Sequence, residues 1–500
     1  AGKETTTTLT AFGAFAGQDH VDGYDNTFIG RASGREVTNG HSNTTLGFNS
    51  LLTATTAVTN TALGKNAMRL TTTGSDNVAV GFEAMDKNTT GGNNTAVGKS
   101  ALIANTTASF NTAVGDKAMQ TNTTGTNNTA IGHQALNKNT TGGLNTGLGL
   151  NALYNNTTGT VNTAVGHSAL KANNTGGYNV AIGHESMLAN TTGITNTALG
   201  NNALRGNTTA SQNVGIGTNA LYTNTTGANN TAVGHNSLDA NTTGAGNVAV
   251  GKSSLDDNTT GAENVAVGEN SLANNTTAGS NTAVGRGSMF TNTTGDSNTA
   301  IGFDALYANT TGTLNTAVGR SALAANTTAT GNTAVGREAL TANTTGTSNT
   351  SVGTSSLMSN TTGTLNTAVG ISALKDATTA EYNVAVGKEA GANLTTGSYN
   401  SVLGTQALRD STTAARSVAI GTSALQNNVS GGDNTAVGSN CLTSTTGNNN
   451  TAIGYASGNA NTSGSQNTFV GRDSGKNVTT GTNNTVLGDN TSASSATVSN

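Results

Sequence analysis

Apolar residues in this chain fall on two points of a short period, and small polar residues fill the rest. One point is the Val, Ile or Leu just before a recurrent glycine, as in "NTAVG"; the other is a Leu or Met four residues after it. The glycine keeps the count. Gly13, Gly30, Gly47 and so on to Gly438 stand 17 residues apart, one residue is lost before Gly454, and the step resumes at Gly471 and Gly488. Residues 1–500 therefore read as a single array of 29 copies, Gly13 to Gly488, with a short tail and no linker. A fixed period of this kind is the signature of stacked supersecondary units.

Each copy reads N-T-A-V-G-x-x-A-L-x-x-N-T-T-G-x-x. The copy Asn77–Gly81, "NVAVG", alternates Val78 and Val80 against Ala79, the period of a strand. Frequent β-branched residues with a glycine in every copy disfavour a helix. The pattern predicts a coil of two short strands, with a core drawn from Val97, Leu102, Val114, Met119, Ile131 and Leu136. Met68, Met85, Met119, Met187 and Met289 share the Leu position, which marks them as core filling, not thioether chemistry.

Two asparagines recur beside these apolar points. Asn94, Asn111 and Asn128 lead the strand, while Asn105, Asn122 and Asn139 open the "NTTG" corner. Coils stacked about 4.8 Å apart would bring each amide onto the one below, so both columns are expected to form hydrogen-bonded ladders. Ala108, Ala210, Ala278 and Ala329 replace the corner glycine, so that corner does not require a positive φ. Such a coil buries roughly two or three sizeable side chains, against an ordering cost of about 1–2 kcal/mol per residue. Association is expected to supply the rest, with three chains sharing their Val and Leu stripes around one axis.

The repeated "NTAVG", "NVAVG" and "NTAIG", with "GYASGNANTSG" at Gly454–Gly464 and "GRDSG" at Gly471–Gly475, resemble the head repeats of trimeric autotransporter adhesins and of related phage tail-fibre proteins. The resemblance covers residues 9–488. It implies an all-β fold, a left-handed parallel β-roll (β-solenoid) of 17-residue coils, with three chains forming a rod outside the cell or virion. The copies here are longer than is common in that family by their "NTT" corner, and no sustained heptad pattern accompanies them.

Composition narrows the function. Charged residues are only 9% of the chain, the net charge is −4, and the 21 Lys and Arg form no basic block, which argues against nucleic acid as a partner. No window has the roughly 18 apolar residues of a membrane span. A start at Ala1 suggests a processed or partial chain. Cys441 stands where other copies carry Ala or Ser, the place of a small buried side chain.

Catalytic chemistry finds no support. The Ser and Thr recur with the period, and no phosphate loop or calcium-binding motif occurs, so neither an enzyme nor a cofactor is expected. His133, His167, His184 and His235 follow the strand glycine, in a slot shared with Lys, Arg and Phe that reads as a solvated rim. His167 and His184 fall on adjacent coils, but two imidazoles without a carboxylate partner make no metal site. The corner "NTT" also satisfies the N-glycosylation pattern.

Exposed aromatics are the expected anchors for a surface receptor, glycan or matrix protein: Tyr154, Tyr222, Phe290 and Tyr307 after the Leu position, and Tyr178, Tyr382 and Tyr399 before the strand. The reading is thus an extracellular, structural or adhesive homotrimeric fibre. A phage tail-fibre shaft and a filament built by head-to-tail self-association are its alternatives, and an ice-binding solenoid is a minor one.

Overall fold

The computed structural model describes residues 8–492. These form two compact units, divided between Asn247 and Val248. Each is a parallel β-solenoid without helix, in which one coil contributes one strand. The first unit holds 14 strands, from Leu9–Phe12 to Thr231–Val233, and the second holds 15, from Val248–Val250 to Thr485–Leu487. Within a unit each strand pairs in parallel with the next at the same repeat position, so Thr112, Ala113 and Val114 face Thr129, Ala130 and Ile131. The sheet ladder shows in Thr112 N–H donating to Asn128 O at 2.9 Å and Gly115 N–H donating to Val97 O at 2.8 Å.

The strand turns its smallest residue inward. Ala96, Ala113 and Ala130 are fully buried, whereas Val97 and Val114 are partly exposed and Ile131 is 39% exposed. Val97, Val114 and Ile131 are therefore not core residues of their own chain, contrary to the expectation from periodicity. Leu102, Met119 and Leu136 are, each at 0% exposure. Alternation states which residues share a face and leaves open which face lies inside. Volume settles it: a β-carbon placed at the strand position of Gly147 already meets Ala152 O at 3.3 Å and Leu136 Cδ1 of the preceding coil at 3.4 Å, so beside a Leu the interior takes little more than a methyl group.

Exceptions follow the same accounting of space. Phe28, Thr45, Val402, Phe469 and Val486 are the bulkier residues at the strand alanine position, and the coil before each carries glycine at the Leu position: Gly17, Gly34, Gly391, Gly458 and Gly475. A β-carbon on Gly17 would meet Phe28 at 3.0 Å and one on Gly458 would meet Phe469 at 2.6 Å, while the glycine of each phenylalanine's own coil, Gly34 or Gly475, comes within 2.6 or 2.3 Å. Each phenylalanine fills the space that the absent Leu side chains leave.

The expected second strand is absent. Its place is taken by a turn in which two residues per coil adopt the left-handed region, such as Ser100 at φ 55° and Leu102 at φ 51°. The turn keeps its amides paired between coils, with Ser100 N–H donating to Phe82 O at 2.9 Å and Leu102 N–H donating to Ala118 O at 3.0 Å. The strand glycine is also conformationally bound: Gly217 sits at φ 129°, and a β-carbon there would lie 2.4 Å from Gly234 O.

Both asparagine columns form ladders. Asn111 Nδ2 donates to Asn94 Oδ1 at 3.2 Å and to Gly125 O at 3.0 Å, while the Asn111 backbone N–H donates to Asn94 Oδ1 at 3.0 Å. At the corner, Asn122 Nδ2 donates to Asn105 Oδ1 at 3.1 Å and also to Gly125 O at 3.0 Å. One carbonyl thus ties the two columns, and Asn94, Asn105, Asn111, Asn122, Asn128 and Asn139 are all 0% exposed. Buried, doubly bonded amides are closed to glycosylation in the folded state.

The corner ladder ends where its sequence does: Asn360 Oδ1 is buried without a partner because Ala377 occupies the next coil. The one-residue loss before Gly454 falls in this corner too. Thr445 takes the asparagine place, one threonine is dropped, and Asn461 Nδ2 donates to Thr445 Oγ1 at 3.3 Å while the strands keep register as Val437 and Ile453.

Candidate binding surface

In each unit the side chains left outside the coil form three surfaces that run from coil to coil. The outer sheet face presents Thr or Val at the first strand residue and Val, Ile or Leu at the third. Leu148, Leu199, Leu403 and Ile453 on this face are 43%, 45%, 50% and 44% exposed. A rim beside the strand glycine carries His, Lys, Arg, Phe and the acidic residues, backed by the residue after the Leu position. The third surface is the corner before the next strand, where Phe110, Tyr178, Tyr382 and Tyr399 project.

The predicted aromatic anchors divide between the last two. Tyr382 and Tyr399 stack on adjacent coils with centroids 4.9 Å apart and planes at 5°, and both are exposed. Phe290 and Tyr307 stack at 5.3 Å and 10°. Tyr178 is exposed on a different coil. Tyr154 and Tyr222 are only half-exposed, because each lies under a cation: Lys138 Nζ is 5.2 Å from the Tyr154 centroid and the Arg205 guanidinium 5.7 Å from that of Tyr222. Phe290 is half-buried as well. Seven residues treated alike in the sequence thus become two stacked pairs and three separate rings.

The rim around Phe290 and Tyr307 has a notch that sequence reasoning missed. Gly287 is the glycine in a rim slot otherwise filled mostly by Asn, Ser or acids, and Asn270, Arg286, Phe290, Phe303, Asp304 and Tyr307 line the gap. Asp304 Oδ1 tucks in where a Gly287 side chain would stand, 2.5 Å from the position of its β-carbon. Burial pushes the Asp304 carboxyl above the usual range, against the pull of Arg286 and Arg320.

A second group corrects the reading of the histidines. His167 and His184 stack at 5.1 Å and 11°, as adjacent coils require. The carboxylate thought to be absent is Glu185, next in sequence to His184, and the ligand atoms of all three residues lie within 4.8 Å of one another. Arg205 Nε donates to Glu185 Oε2 at 2.8 Å, which holds the Glu185 carboxyl below its ordinary range. The signal was present in the sequence as the two rim residues read together across neighbouring copies. His133 instead faces Asp116, at 3.4 Å.

Cys441 is buried as expected, donating its S–H to Ala452 O at 3.2 Å. Burial pushes its thiol up to about 12, which keeps the sulfur protonated and poorly nucleophilic. Among the described residues, no helix is long and apolar enough to cross a membrane. No protein-family model matches the chain, and no curated protein matches it.

Proposed function

We propose that this chain is a structural and adhesive extracellular fibre protein, acting as a homotrimer of left-handed β-rolls that project a binding surface. The observation that carries this reading is the outer sheet face. Coil after coil sets a half-exposed Val, Ile or Leu at the same place, as in Leu148, Ile182 and Leu199, which are 43%, 37% and 45% exposed. Contiguous apolar surface of this kind marks a contact with another molecule. Because the stripe repeats with the coil, its natural cover is a surface of the same period, namely two further copies of this chain. The stacked tyrosines Tyr382 and Tyr399 stand on the opposite edge of the strand from that stripe and supply rigid contact area for a receptor or glycan.

One observation favours a second reading. The six consecutive strands beginning at Thr282, Thr299, Thr316, Thr333, Thr350 and Thr367 present Thr beside Val, or in one case Ile301, on the outer face. Left uncovered, that regular array of hydroxyls and methyls suits the ordering of water at an ice surface.

Sedimentation of the whole chain at low concentration separates the two. A particle of three 49.2 kDa chains is expected, and Val318→Lys on the outer face is expected to release folded monomers with an unchanged circular dichroism spectrum. A stable wild-type monomer would overturn the fibre reading and direct attention to inhibition of ice recrystallisation.

A further inference from the structure

The geometry points to a transition-metal site on the rim of the first unit, formed by His167, His184 and Glu185. Three features distinguish this group from the other charged residues of the rim. The first is the donor set. Two imidazoles and one carboxylate are the ligands of three-residue zinc centres that keep a further position open for water or an incoming group. Their ligand atoms already lie within 4.8 Å of one another. Closing on an ion requires only rotation of side chains, and both histidines are exposed at the surface with room to do so.

The second feature is the rigidity of the platform. His167 and Glu185 lie on adjacent coils joined by the hydrogen bond from Glu185 N–H to His167 O at 3.0 Å, and His184 O accepts from Asn202 N–H at 3.0 Å on the coil after. The ligands therefore stand on the coil ladder and not on a mobile loop. Glu185 itself takes φ 51°, a backbone setting imposed by the turn.

The third feature is a supporting contact. Arg205 bonds one carboxylate oxygen of Glu185, leaving the other free, and is itself packed on the Tyr222 ring. A hydrogen-bonded partner behind a ligating carboxylate fixes its orientation, the usual role of outer-shell groups at metal centres. Two nitrogen donors with one oxygen suit a borderline divalent ion such as Zn²⁺, and they suit Ca²⁺ or Mg²⁺ poorly, since those ions take oxygen ligands. His133 offers a control: it has an acidic neighbour in Asp116, but Leu150 fills the same rim slot on the next coil.

Calorimetric titration of the chelator-treated chain with Zn²⁺ tests this. One saturable equivalent per chain is expected whatever the oligomeric state, so the result stands apart from that of the sedimentation experiment. His167→Ala combined with His184→Ala should abolish that equivalent. Glu185→Gln should weaken it at least tenfold, and His133→Ala should leave it unchanged. Circular dichroism verifies that each variant keeps its fold. No saturable binding by the wild type, or an equivalent that persists in the double histidine variant, would overturn the site.

Discussion

Leu221 illustrates how much the coil asks of one residue. It is fully buried, at φ 55°, in a conformation that costs an L-residue roughly 1–2 kcal/mol. Burying the side chain returns about 1.5–3 kcal/mol, so the position is worth occupying only by a large apolar residue that tolerates the backbone. A β-carbon branch does not. Every coil before the last accordingly carries Leu, Met or Gly there, Ser492 stands there in the last, and none carries Val or Ile. Leu221→Met is expected to cost less than about 1.5 kcal/mol. Leu221→Ile, with the same volume, should cost clearly more, and equal midpoints of the two variants in urea unfolding would refute the backbone argument. The sequence already showed that this slot prefers an unbranched or γ-branched chain. It did not show why, because a left-handed φ leaves no mark on the hydrophobic pattern.

Strand and ladder differ in how legible they were. The asparagine columns were readable, since an amide repeated at a fixed interval has an obvious partner one coil away. The inward face of the strand was not. Val97 looked like core because it is larger than Ala96, yet the Leu of the neighbouring coil already occupies the interior, and only the methyl fits beside it. The pairing of Phe28 with Gly17 and Gly34, and of Phe469 with Gly458 and Gly475, contained that information for a reader comparing one copy with the next. The ladder gives a sharp test at Asn224, whose Nδ2 donates to Asn207 Oδ1 at 3.1 Å and Gly227 O at 2.9 Å, and whose Oδ1 accepts from Asn241. Asn224→Ala strands buried partners on both neighbouring coils and should cost more than about 2 kcal/mol. Asn224→Asp should cost more again at neutral pH, since a carboxylate cannot donate and is buried facing two acceptors. Burial raises the folded pKa of such a carboxyl, so its stability should recover as the pH falls, and chemical denaturation at two pH values would detect the trend.

Across the molecule, the binding groups were the least legible part of the candidate surface. Tyr382 with Tyr399, and His167 with the adjacent pair His184–Glu185, are brought together by the period. Each coil meets only its two neighbours, so stability is close to a sum of like terms. Removing residues 213–229 joins Gln212 to Asn230 and sets the Asn230 N–H where Asn213 N–H now donates to Asn196 Oδ1. That variant should fold with an unchanged circular dichroism spectrum and a thermal midpoint within a few degrees of the parent. Deleting Leu221 alone should be far more damaging, and a whole-coil deletion that failed to fold while the single deletion survived would contradict nearest-neighbour stability. The corner at Thr445 shows where a lost residue does least harm: in the threonine pair, away from strand and core. The same equivalence of coils bears on heredity. A gene so repetitive invites slippage during replication, and among the coils that pair Ala with Leu or Met an in-frame gain or loss of one repeat meets little packing penalty, so protein length can drift while the fold stays constant.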